Sequence, residues 1–242
     1  MEPYRKPPIV EAILEFQFDQ EISFERVQKA STKFASAYPT SETEFEIQGN
    51  IELGSQKSTI NQRTIGVKLS SKDQSKVILA RIRSVGFAEL APYSGWANFI
   101  ASAKQNFSTW QKSIGNQKIS RIGLRYINRI DIPNNGTGII PAEYVTMHPP
   151  KPGIGLINQI DFYTMQVQMP LGVDNLHVTV NTATIASPVP AANSLLLDLD
   201  LYTTVDIPRR EDHLWERVEG MRTQKNATFE ACITDASREL FR

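Results

Sequence analysis

From Val10 onward the chain alternates: Val10, Ala12, Leu14, Phe16 and Phe18 fall on one side, and Glu11, Ile13, Glu15, Gln17 and Asp19 on the other. That two-residue period predicts a half-buried strand with Glu11 and Glu15 on its polar face. Phe24, Val27, Ser31, Phe34 and Tyr38 then recur at three- and four-residue steps, behind Ser23 as an N-cap and ahead of Pro39 as a stop. A helix of about four turns is expected there. Shorter alternating runs at Phe45–Leu53 and Thr59–Leu69 predict strands, and a longer run at Val77–Leu90 reads as a single strand carrying Arg81 and Arg83. Gly54-Ser55 and the polar stretch Ser70–Ser75 read as turns between them.

The clearest helical signal is the unbroken stripe of Trp96, Phe99, Ile100, Ala103, Phe107, Trp110 and Ile114, with Ser94 placed to cap it and Gly115 to end it. Ile119–Pro133 reads as a long strand, and 133–155, rich in Pro, Gly and Asn, as a mobile loop or boundary. Strands are expected at Ile160–Met169, Leu176–Ile185 and Leu195–Val205, and helices at Asp212–Met221 and Asn226–Phe241. Consecutive strands joined by short turns imply an antiparallel sheet. The order predicts an α+β fold, either one bent sheet gripping several helices or two similar halves. Taken as halves, they would be 1–132 and 156–242, with 133–155 between them.

Composition narrows the function. The 26 basic and 26 acidic residues cancel, which removes the global field that a non-specific nucleic-acid binder needs, so nucleic acid is disfavoured as a partner. Cys232 is the one cysteine, lies in apolar periodicity and is expected to be a small buried residue. No apolar h-region opens the chain and no uncharged apolar run approaches about 18 residues, so a cytoplasmic protein with no membrane span is expected.

Chemistry has one strong pattern to work with. Arg121, Arg125 and Arg129 share one face of the Ile119–Pro133 strand, with Ile122, Leu124, Tyr126 and Ile130 on the other. Spread over roughly 27 Å, such a row can grip phosphates or carboxylates through guanidinium forks. With Arg81 and Arg83 it forms the candidate site for an anion or a partner. Glu11, Glu15, Asp198 and Asp200 are its acidic counterparts; if their strands flank the arginine strand, the rows neutralise each other as cross-strand ion pairs, and this structural reading is preferred. The functional version of the pattern is a charged interior like that of the triphosphate tunnel enzymes, where acids hold Mg²⁺ and arginines a polyphosphate. Their Glu-x-Glu-x-Lys run is absent here, since Glu11 and Glu15 stand four apart with no lysine following. His148, His177 and His213 show no metal-ligand spacing, Gly153-Ile-Gly155 lacks a third glycine, and no nucleophile, P-loop or kinase signature is present. No catalytic residue, metal site or cofactor is therefore assigned.

Three segments together carry a resemblance: Pro7-Pro-Ile-Val-Glu-Ala-Ile-Leu-Glu-Phe-Gln-Phe18; Pro92-Tyr-Ser-Gly-Trp96 with Arg121-Ile-Gly-Leu-Arg-Tyr-Ile-Asn-Arg-Ile130; and Phe229-Glu-Ala-Cys-Ile-Thr-Asp235 with Leu240-Phe241. They resemble a sporadically distributed, uncharacterised family of prokaryotic proteins across essentially the whole chain. The resemblance implies no activity or catalytic residue. It implies the setting of accessory genes linked to defence or toxin–antitoxin operons. The leading expectation is a non-catalytic interaction protein that binds a partner protein through the charged sheet face or the 133–155 loop. The alternative is a metal-dependent enzyme or sensor that binds a nucleotide or polyphosphate along the arginines.

Overall fold

The structure is a computed structural model that describes residues 4–51, 58–134, 138–150 and 160–242, with the backbone alone at 48–51 and 58–60. It is an α+β fold built on a nine-stranded antiparallel sheet. The strands are β1 (Ile9–Phe18), β2 (Thr40–Ile51), β3 (Ser58–Ser70), β4 (Lys76–Arg81), β5 (Ser84–Leu90), β6 (Ile119–Pro133), β7 (Thr164–Pro170), β8 (His177–Ile185) and β9 (Ala192–Thr203). Their spatial order is β2-β3-β4-β5-β1-β6-β9-β8-β7. The helices are α1 (Phe24–Ser31), α2 (Trp96–Ile114), α3 (Glu211–Cys232) and α4 (Asp235–Leu240).

The chain divides into two compact units. One comprises 14–90 and 94–121, and the other 1–13, 91–93 and 122–242. In the unit of 14–121, α1 packs on β3 and β4, and α2 on β5. The apolar side of the first strand forms its floor: Leu14 and Phe16 are fully buried, and the Phe16 ring lies 4.6 Å from that of Phe107 on α2. In the other unit α3 packs on β9, whose Leu195, Leu197, Leu199 and Leu201 are all fully buried. Alternation thus places the core where the period predicts it.

Several boundaries differ from expectation. The run Val77–Leu90 breaks at Ile82-Arg83 into β4 and β5, which pair antiparallel. No glycine or proline marks the reversal; its polar groups are satisfied at long range, with Ile82 N–H donating to the Ile65 carbonyl and the Ile82 carbonyl accepting from Ile22 N–H. The two closing helices are rearranged: α3 runs unbroken to Cys232, and the chain breaks after it at Ile233. The first helix ends at Ser31 and tightens into a 3-10 turn, Thr32–Phe34. Ser23 caps it as expected, accepting from Arg26 N–H. Ser94 does not cap α2; Gly95 occupies that position at φ 95°, a backbone conformation that suits glycine.

The described part of the 133–155 segment is anchored within its unit. Val145 is fully buried and bridges to Ile233, and Thr146 and Tyr144 bond to the end of α3 and the start of α4. The turn expected at Gly54-Ser55 and the Gly153–Gly155 segment lie outside the described residues.

Candidate functional site

Alternation puts every odd-numbered arginine of β6 on the face opposite the core, where each meets a carboxylate. In the unit of 14–121, Arg121 reaches Glu15 at 3.4 Å, and Glu15 also faces Arg81 at 3.8 Å. Arg81 commits its fork to Glu44, through Nε at 2.8 Å and Nη2 at 2.9 Å, and these bonds with the adjacent charges hold its pKa above the ordinary value. Arg83 pairs with Glu21 at 2.8 Å, which Arg63 also contacts. Hydrogen bonds from Arg63 and Arg83 lower the Glu21 pKa.

In the other unit Arg125 forks onto Asp198 with two bonds of 2.8 Å, and Asn181 donates to the same carboxylate at 2.9 Å. Asp198 is only 2% exposed, so this pair is half inside the protein. Hydrogen bonding to Asp198, reinforced by the charges of Asp198, Asp200 and Glu11, raises the Arg125 pKa. Arg129 lies on Asp131 at 2.9 Å, and Ser194 donates to Asp131 at 2.6 Å. Each of Arg81, Arg83, Arg121, Arg125 and Arg129 therefore has a carboxylate within 4 Å. An incoming anion must displace that carboxylate before it gains a fork, and the displaced acid must be resolvated or repaired. Among the described residues, no group of three or more His, Cys, Asp or Glu side chains is placed to hold a metal ion.

No protein-family model matches the chain, and no curated protein matches it.

Two features stand apart from the arginine row. The first is β2, an edge of the sheet. Thr43 pairs with the buried Val67, a register shift follows between Glu44 and Phe45 where β3 carries the extra residue Ile65, and along β2 itself Phe45 and Ile47 keep the parity of Thr43. The helix cover stops one strand short: α1 packs on β3 and β4, leaving Phe45 51% and Ile47 68% exposed. Glu42, Glu44 and Glu46 alternate with them on the opposite face. The alternation is legible in the sequence, but edge status is not, because it depends on which strands pair.

The second feature is Lys225. Alone among the described lysines it is buried, at 8% exposure, with Nζ 3.9 Å from the centre of the Tyr126 ring. Desolvation, with a smaller push from Arg222, brings its pKa down to about 8. The Tyr126 hydroxyl meets that of Tyr93 at 2.9 Å. Sequence reading missed this cation because it sits in an otherwise apolar helical stripe. Cys232, further along the same helix, is buried as expected, and desolvation pushes its thiol up to about 11.

Among the described residues no helix is long and apolar enough to cross a membrane.

Proposed function

We propose that this chain is a protein-binding module that takes an extended segment of a partner protein along the outer edge of β2, which no described strand pairs. The supporting observation is the pair of exposed apolar side chains, Phe45 and Ile47, on a 12-residue edge strand. A long, partly apolar edge is what a globular protein ordinarily blunts, covers or closes, and β2 keeps two exposed apolar side chains beside a single register shift against β3 between Glu44 and Phe45. An added strand supplies main-chain hydrogen bonds, while side chains at every second position give specificity. Burying the exposed parts of Phe45 and Ile47 contributes about 1 kcal/mol or more each. The Arg81–Glu44 fork supports the same reading, since it ties the opposite face of β2 to β4 within one unit. A nucleotide or polyphosphate site on the arginine row has no comparable observation behind it.

The test is a quantitative affinity enrichment from the native host with the wild-type chain and a Phe45→Lys, Ile47→Lys double variant. A partner retained by the wild type should fall at least about tenfold with the variant. Circular dichroism melts of the two proteins should agree within a few degrees, since neither side chain belongs to the core. A partner recovered equally with both proteins would remove β2 from the binding site.

A further inference from the structure

The chemistry of the segment that β2 accepts follows from its two faces, given that β2 is the binding edge. On an added strand, the residues nearest the β2 side chains are those directly opposite, whose Cβ atoms come to about 5 Å. On one face they would meet Glu42, Glu44 and Glu46, and on the other Thr43, Phe45 and Ile47. A second copy of β2 brings glutamates together in two of its pairings, whereas antiparallel pairing centred on Ile47 opposes no two of them, so self-association is an outcome that light scattering decides. Antiparallel pairing centred on Phe45 sets Glu44 of one copy opposite Glu46 of the next, and in-register parallel pairing stacks each glutamate on itself.

We infer that the occupant is an extended segment of a partner protein in which lysine or arginine alternates with apolar residues. The basic side chains lie along Glu42, Glu44 and Glu46, and the apolar ones cover Phe45 and Ile47.

The inward neighbours of these glutamates leave room for this. Lys68 reaches Glu42 at 3.3 Å with both side chains exposed, and Glu46 raises the Arg63 pKa only as the last of several influences. A carboxylate flanked by cations on both adjacent strands satisfies more of its lone pairs than one with a single partner. Glu44 is the exception, since its two oxygens are engaged by Arg81. Glu42 and Glu46 therefore carry most of the discrimination.

A short synthetic peptide alternating lysine and valine, its glutamate-for-lysine counterpart and the full chain test this by fluorescence anisotropy with amide hydrogen exchange. The lysine peptide should bind, slow exchange at residues 40–47, and weaken as salt is added. The glutamate peptide should bind at least about tenfold more weakly. In a Glu42→Lys, Glu46→Lys variant, which leaves the Arg81 pair in place, the preference should reverse. Equal binding of the two peptides, protection elsewhere than 40–47, or self-association of the chain through β2 in light scattering would each overturn the assignment. The two readings fail separately. A partner lost with the Phe45/Ile47 variant while the lysine peptide fails to bind leaves the docking edge standing and removes the charge rule. A partner indifferent to the Phe45/Ile47 variant removes the edge itself.

Discussion

Lys225 holds its charge against a desolvation cost, and that cost has a definite pH signature. Its folded pKa is about 8 against 10.5 for the unperturbed side chain. Below pH 8 both folded and unfolded chains carry the proton, so the penalty is full. Between pH 8 and 10.5 the unfolded chain holds a proton that the folded one has released, so stability from this group rises with pH. Replacing Lys225 with Met removes the penalty of about 3 kcal/mol and also removes a cation–π contact of about 1–2 kcal/mol. Lys225→Met should therefore be stabilising by about 1–2 kcal/mol at pH 7. Its advantage over wild type should shrink through pH 8–10.5, as urea unfolding across that range would show. The Arg125–Asp198 pair predicts an asymmetry instead. Asp198 has a side chain 3% exposed and Arg125 one 44% exposed. Arg125→Ala strands a buried carboxylate with Asn181 as its remaining named donor and should cost about 3 kcal/mol. Asp198→Ala leaves an arginine that can turn to water and should cost about 2 kcal/mol. The reverse ordering in denaturant titrations would mean that the carboxylate is more hydrated than its burial indicates.

At the scale of elements, a tight constraint sits where β3 meets β4. A Cβ placed on Gly66 would lie 2.6 Å from the Ala80 carbonyl oxygen and 2.8 Å from Arg81 Cγ. The Ala80 oxygen belongs to a backbone held in the ladder, so Gly66→Ala must separate the strands and should cost about 2 kcal/mol or more. Gly86, in the neighbouring β5, would bring a Cβ to an ordinary 3.5 Å from Leu79, so Gly86→Ala should stay within about 1 kcal/mol of wild type. Chemical denaturation of the two variants side by side checks the contrast. Such elements were partly legible beforehand. The strict alternation of Val10–Phe18 and the stripe of α2 specify a strand and a helix because local period and tertiary burial agree there. The break at Ile82-Arg83 was illegible because it is stabilised by bonds to Ile65 and Ile22, far away in the chain. The continuity of α3 was obscured by Lys225, whose burial over Tyr126 keeps the stripe of Val218, Met221 and Phe229 on one face. For the site, the faces of the arginines could be read from parity, and so could Asp131, two residues from Arg129 on the same strand, whereas Glu44 and Glu21 enter only through strand pairing or chain reversal. Nor could the exposure of Phe45 and Ile47, since alternation describes a strand's faces and says nothing of what covers them.

Across the whole molecule, the connectivity of the two compact units carries a consequence for cooperativity. Strand β1 contributes Ile9–Ile13 to one unit and Leu14–Phe18 to the other, and β6 contributes Ile119–Arg121 to one and Ile122–Pro133 to the other. Each unit's core therefore includes part of a strand whose remainder belongs to its counterpart: Leu14 and Phe16 are fully buried at one end of β1, and Ala12 at the other. Fraying either strand from one core removes the fixed dihedrals from which it continues into the other, and re-ordering a residue costs about 1–2 kcal/mol. With two strands threaded in this way, unfolding of one unit should carry the other with it. The three tryptophans make this measurable, because Trp96 and Trp110 lie in the unit of 14–121 and Trp215 in the other. Fluorescence of a Trp96→Phe, Trp110→Phe variant reports one unit, and that of a Trp215→Phe variant the other. Each variant's fluorescence transition should coincide with its own far-ultraviolet dichroism transition in denaturant, with a single midpoint and slope. A fluorescence midpoint displaced from the dichroism midpoint in either variant would show that the shared strands do not couple the cores. The units would then have to be treated as separately folding bodies that happen to trade strands.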